Sequence, residues 1–168
     1  MNLKASAVLF IALYIGSIVL ANWMTTTFGL VSIGLGLAVT AGTFAAGAAL
    51  ILRDGVQTAT NNITVVAAIT LGIVVSYLVS DPFIAIASAV AFAASELVDY
   101  GVFTPLRKRN LATAVLVSSI VSAPVDTVLF LHIAGFGVTW QAVLGQFIIK
   151  TALAGAVAVY LMLRHHKP

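Results

Sequence analysis

Long apolar runs alternate with short polar or helix-breaking stretches along the whole chain. Six such runs can be drawn: Leu3–Ala21, Val31–Leu52, Ile63–Val79, Phe83–Phe103, Leu111–Leu131 and Ala142–Leu163. The punctuation falls at 22–27, 53–62, 80–82, 104–110 and 132–141. A membrane-spanning helix needs about 20 mostly apolar residues. Irregular backbone facing lipid would leave its polar groups unsatisfied, which leaves helices or closed barrels. Barrel strands would alternate polar and apolar over about ten residues, and the run Ala85–Ala94 shows no such alternation. The pattern predicts an all-α membrane protein with six transmembrane helices forming a single domain over residues 1–168. Lys4 ahead of the first run imitates a signal peptide. That run is longer than the usual apolar core of about 7–15 residues and five more follow, so it reads as a retained helix.

Composition strengthens this reading. Of 168 residues, 61% are hydrophobic and 8% charged, against roughly 25% charged in soluble domains. Mean hydropathy is +1.14. Little chain is left outside the bilayer for a separate nucleotide-binding or catalytic domain. Cysteine is absent, which excludes disulfides and thiolate chemistry.

The formal charge of +3 does not point to nucleic acid, because the basic residues are sorted by loop. With the N-terminus in the cytoplasm, Lys4, Arg53, Arg107, Lys108, Arg109, Arg164 and Lys167 all fall inside, and the three opposite loops carry no Lys or Arg. The positive-inside rule then places both termini in the cytoplasm, in a multi-pass membrane protein. Three helices plus three make halves of opposite orientation, as in inverted-repeat transporters, without sequence similarity between the halves. Small residues such as those of Gly42–Gly47 and Gly145–Gly155 suit close helix packing in lipid.

Four charged residues remain inside the spans: Glu96, Asp99, Asp126 and Lys150. Such residues usually face a bundle interior or a water-filled cavity. At about 1.5 Å per residue, Asp126 sits roughly 8 Å and Lys150 roughly 13 Å from the outer ends of their helices, with Glu96 roughly 20 Å down. Asp99 comes near the cytoplasmic end, where Arg107 is close in sequence. Glu96, Asp99 and Tyr100 share a helix face at i, i+3 and i+4, as do Gln146 and Lys150. Pro124, just before Asp126, interrupts helical hydrogen bonding, and transporters build binding sites at interrupted helices. Lys150 can simply staple helices by pairing with Asp126 or Glu96. Three carboxylates against one ammonium still leave two negative charges unmatched, which favours a polar, ligand-accessible cavity.

Other polar residues carry blander readings. Arg53–Asp54 closes the second span as an exposed interfacial pair or as a gate. Trp23 and Trp140 suit interface anchors, His132 an outer loop, and Arg164–Lys167 a headgroup-facing tail. No zinc-protease, nucleophile-elbow or phosphate-loop motif occurs, so neither enzyme chemistry nor a cofactor is expected.

The runs Ala94-Ser95-Glu96-Leu97-Val98-Asp99-Tyr100 with Thr104-Pro105-Leu106-Arg107, Pro124-Val125-Asp126-Thr127 with Phe130 and Ala134-Gly135-Phe136, and Gly145-Gln146 with Lys150 resemble the VUT family, the queuosine precursor transporters. Arg53-Asp54 also fits that pattern. Glu96 stands where some relatives carry a neutral amide. The resemblance implies a six-helix fold similar to the substrate-binding subunits of energy-coupling-factor transporters. It also implies uptake of 7-cyano-7-deazaguanine or its aminomethyl form, without a dedicated ATPase or energy-coupling partner.

The residues suit such a ligand. A carboxylate at Glu96 or Asp126, with Asp99 on the same face as Glu96, can accept from the ring's N–H and amino groups in parallel. Lys150 or Gln146 can donate to the ring carbonyl, and Trp23, Phe44 or Tyr100 can stack on it. Arg53, Asp54 and Arg107 are gate or interface candidates. The expected partners are the deazapurine and membrane lipid, with a homo-oligomer open. The rival readings are a vitamin-type subunit that needs energy-coupling partners, docked through small first-helix residues such as Ala12 and Gly16, and a non-transporting scaffold.

Overall fold

In the computed structural model of the chain, residues 3–165 are described, with side chains for 7–53 and 55–163. The expectations for the Asp54 side chain, Lys4 and the Arg164–Lys167 tail lie outside these. Helix starts follow local chemistry. Asn61 accepts from the Thr64 N–H at 2.9 Å and Asn110 from that of Thr113 at 3.0 Å. Asp81 caps Phe83 and Ile84 ahead of Pro82 at the first helical position. Each supplies an oxygen for amide hydrogens that the first turn leaves orphaned.

The elements run α1 (Leu3–Phe28), β1 (Leu30–Gly34), β2 (Leu37–Thr40), α2 (Thr43–Ala59), α3 (Asn62–Val79), α4 (Pro82–Arg107), α5 (Leu111–Ile133) and α6 (Trp140–His165). Among the described residues, five helices, all but α2, are long and apolar enough to cross a membrane. The basic loop after α4 and the α2–α3 turn lie at one end, the hairpin and the loops after α3 and α5 at the other.

The fold of the described residues is all-helical apart from one short hairpin, and it is the second apolar run that departs from expectation: α2 is the one helix not long enough to count as a span. The first half of that run is an antiparallel hairpin, and the 17-residue α2 starts only at Thr43. Gly34, Leu35 and Gly36 take positive φ at the turn, a conformation open to glycine and costly elsewhere. Val31, Ile33, Val39 and Thr40 are β-branched and suit strands. The hairpin's inner end is buried at Val39 and Thr40. Non-helical backbone is tolerated at membrane depth only inside protein. Accordingly the Ala41 amide donates to the Gly29 carbonyl at 2.9 Å and that of Gly42 to Thr25 Oγ1 at 3.2 Å.

Two other boundaries move. The first helix runs through Asn22 to Phe28 rather than stopping at Ala21, and α2 continues past Arg53 to Ala59. Arg53 therefore sits inside a helix. Pro124 does not break α5, which is helical throughout; it removes only the amide hydrogen that the Ile120 carbonyl would accept.

Packing relies on small residues in rows. On α6, Ala142, Gln146, Lys150, Ala154 and Ala158 are buried at every fourth position, and on α4 the row is Ala87, Ala91, Ser95, Asp99 and Phe103. Rows spaced by four form one stripe along a helix. A side-chain carbon at Gly47 would stand 2.7 Å from Leu153 Cδ1 and 3.6 Å from the Lys150 backbone. The glycine lets α2 approach α6 at the depth of the lysine, as small residues do in membrane interfaces.

Candidate functional site

The intramembrane charges resolve into two clusters. In the first, the Lys150 ammonium on α6 donates to Asp126 Oδ2 at 2.6 Å and Thr127 Oγ1 at 2.9 Å, both on α5. All three residues are buried. Around them lies a small cavity of about 40 Å³ between α1, the hairpin, α2, α4, α5 and α6. The buried amides of Asn22 and Gln146 line it, and neither Asn22 Nδ2 nor Gln146 Nε2 has a hydrogen-bond partner. An unpaired buried donor costs roughly 1–3 kcal/mol, so two of them beside one cavity mark a place prepared for acceptors. Phe92 and Phe130 contribute aromatic wall.

The helical rows explain how these groups converge. Asn22 belongs to the buried α1 stripe of Tyr14, Ser17, Ile18, Ala21, Asn22 and Thr25. Gln146 and Lys150 are neighbours in the α6 row, as their four-residue spacing requires. Thr40, at the buried end of the hairpin, meets Thr43 Oγ1 at 3.0 Å and closes the outer side.

The second cluster sits toward the basic end. Arg53 of α2 reaches across to α4, donating through Nε to Glu96 Oε2 at 2.5 Å and through Nη1 to Asp99 Oδ2 at 2.9 Å. Its Nη2 also contacts Glu96 Oε2. One guanidinium holds two carboxylates, a task suited to its planar fork. The charge account drawn from the spans therefore changes: Arg53 joins Lys150 against three carboxylates, because the second helix extends around it. Arg53 is buried and not an exposed interfacial group. Asp99 is paired with Arg53 within the bundle, while Arg107 lies exposed with its guanidinium 5.9 Å from the Phe103 ring centre.

Of the site residues expected from sequence, Asp126, Gln146 and Lys150 line the central cavity. Glu96 and Tyr100 line a separate groove with Arg53. The three proposed stacking rings are elsewhere: Trp23 packs edge-on against Phe28 at 6.1 Å, and Trp23, Phe44 and Tyr100 are each about half exposed, at 45%, 47% and 47%. Large aromatic faces in apolar spans serve lipid as readily as ligand, and no spacing separates the two. Sequence reading passed over Asn22, Thr25, Thr40 and Thr127. The signal for Asn22 was an amide four residues after Ile18, in a run still helical in period; ending the helix at Ala21 hid it.

Among the described residues, no three His, Asp or Glu side chains gather as metal ligands would. What the central arrangement offers is recognition: one carboxylate, one ammonium, two amide donors without partners and aromatic wall, all on buried side chains except the partly open aromatic wall.

A family model described as a putative vitamin uptake transporter matches residues 4–163. No curated protein and no solved structure matches the chain.

Proposed function

This chain belongs to the family of putative vitamin uptake transporters, and from that membership we propose that it carries a queuosine precursor, 7-cyano-7-deazaguanine or its aminomethyl form, across the bacterial inner membrane. The observation that carries the reading is the central cavity, where Asp126, Lys150, Asn22 and Gln146 converge. A deazaguanine has an N–H edge that a carboxylate accepts in parallel bonds, a ring carbonyl and a flat apolar face. Asp126 takes the N–H edge, and the amides of Asn22 and Gln146 with the Lys150 ammonium donate to the carbonyl. Phe92 or Phe130 covers the ring. The residues act by binding and orienting; the reading assigns them no bond-making chemistry.

At about 40 Å³ the cavity is far below the roughly 300–1,000 Å³ of small-molecule pockets. We read the conformation as occluded. Entry needs the hairpin or a neighbouring helix to move, and alternating access is largely rocking or gating around a fixed site. The six helices then run with both chain ends in the cytoplasm, beside the basic loops, in an arrangement similar to the substrate-binding subunits of energy-coupling-factor transporters.

The test is queuosine in tRNA from a host unable to make or import the precursor, with this gene supplied. Queuosine that appears at low external precursor, and only with the gene, supports uptake. Its absence despite confirmed membrane expression sinks the reading. A second reading, a vitamin-binding subunit that docks on energy-coupling partners, draws on Ala12 and Gly16. These small residues lie exposed four apart on α1, and nothing stands within 4 Å of a side-chain carbon at Gly16. Uptake in a host lacking coupling proteins separates the two.

A further inference from the structure

The groove beside Arg53 is large where the central cavity is small. It spans about 330 Å³ between α2, α3 and α4, within the range of ligand pockets. Its polar groups are arranged, not scattered. The Gln57 amide nitrogen donates to Asn62 Oδ1 at 3.0 Å, which leaves Gln57 Oε1 as a buried acceptor without a partner. Gln57 is 8% exposed and lines the groove. Beside it stands Glu96, held by Arg53 and still 15% exposed at its side chain. The ring of Tyr100 is half exposed along the wall, one turn beyond Glu96. Two acceptors next to an aromatic face match a planar heterocycle that presents adjacent N–H donors.

Between the groove and the central cavity lies a third, apolar space that borders both. Ile69 lines both the groove and an apolar constriction of about 30 Å³. That constriction shares Ala21, Ala46, Ser88 and Phe92 with the central cavity. On the far side, Thr25 is common to the central cavity and an open vestibule of about 390 Å³ at the hairpin end. Shared lining residues therefore lead from the groove, through the apolar pocket around Ile69 and Phe92, to the central cavity and on to the vestibule. Hydrophobic constrictions between wet compartments act as gates.

We infer that the groove of Gln57, Glu96 and Tyr100 is a second binding site for the same planar, N–H-rich ligand, on the basic-end side of an apolar gate formed around Phe92 and Ile69. This rests on the transport reading above. Ligand that passes the gate meets acceptors instead of lipid, and the net negative charge of Arg53 with Glu96 and Asp99 favours an aminomethyl cation over a neutral nitrile.

The experiment is equilibrium binding of labelled 7-cyano-7-deazaguanine and its aminomethyl form to the purified full chain in lipid nanodiscs. Two binding events per chain are expected. Lys150→Met removes one and spares the other. Gln57→Leu weakens the other at least about tenfold, the scale of one buried hydrogen bond lost. Val66→Trp, on an exposed position at the groove rim, removes it by filling space with little burden on folding. A single event, abolished by Lys150→Met and indifferent to Gln57→Leu and Val66→Trp, overturns the second site and leaves the transport reading standing. No binding of either compound by the unmodified chain overturns both.

Discussion

The Lys150 ammonium lies 2.6 Å from Asp126 Oδ2, joining α6 to α5 with both residues buried. Removing one member of a buried pair typically costs about 3–5 kcal/mol, since the other charge is stranded. Lys150→Met and Asp126→Asn should each lower the unfolding midpoint in detergent, and the double variant should recover most of the loss. Uptake should stay abolished in all three. A double variant that transports normally would reduce the pair to a helix staple.

Arg53 poses a related case with two dependants. Arg53→Met leaves Glu96 and Asp99 facing each other without their shared cation, and about 3–5 kcal/mol of stability should go with it. Arg53→Lys keeps the charge but loses the planar fork that reaches both carboxylates, so an intermediate loss is expected. Chemical denaturation of the purified variants ranks the three proteins. Equal stability of Lys and Met variants would mean that charge at this place contributes nothing.

Much of the helical pattern could be read from hydropathy, because lipid leaves a backbone few alternatives. The same apolar bias hid the hairpin. Leu30, Val31 and Ile33 suit a span and a strand equally, and only the closely spaced Gly34 and Gly36 hint at a turn. Gln146 and Lys150 were legible as a pair because four residues make one helical turn. The partnership of Arg53 with Asp99 was not, since it depends on how far α2 extends and on the approach of α2 to α4. Asn22 was lost by a boundary placed seven residues early: helix ends at Phe28, not Ala21.

Close backbone approach gives a graded prediction. A side-chain carbon at Gly42 would stand 2.0 Å from the Ala21 carbonyl oxygen, and one at Gly145 would stand 2.5 Å from that of Ala38. Neither neighbour is a flexible side-chain end, so Gly42→Ala and Gly145→Ala should force α1 or the hairpin away and cost about 1–3 kcal/mol or more. Gly101→Ala, with nothing within 4 Å, should stabilise α4 by up to about 1 kcal/mol through helix propensity. Thermal unfolding of the three variants tests the order, and a neutral Gly42→Ala would contradict the packing of α1 on the start of α2.

Sidedness can be read directly, because the chain has no cysteine. Leu35, at the hairpin tip, is 98% exposed, and Lys108 is exposed beyond the end of α4. These positions lie at opposite ends of the bundle, and basic residues favour the cytoplasmic side. A membrane-impermeant maleimide should therefore label Leu35→Cys in intact spheroplasts and Lys108→Cys only after permeabilisation. The converse pattern would invert the protein and turn the basic-end groove outward. Labelling of both without permeabilisation would mean that the two ends do not face opposite compartments, and the bundle would not span the bilayer as its helix lengths imply. Slower labelling of Leu35→Cys when precursor is present would add that the hairpin moves as ligand enters, since the tip itself lies away from the central cavity.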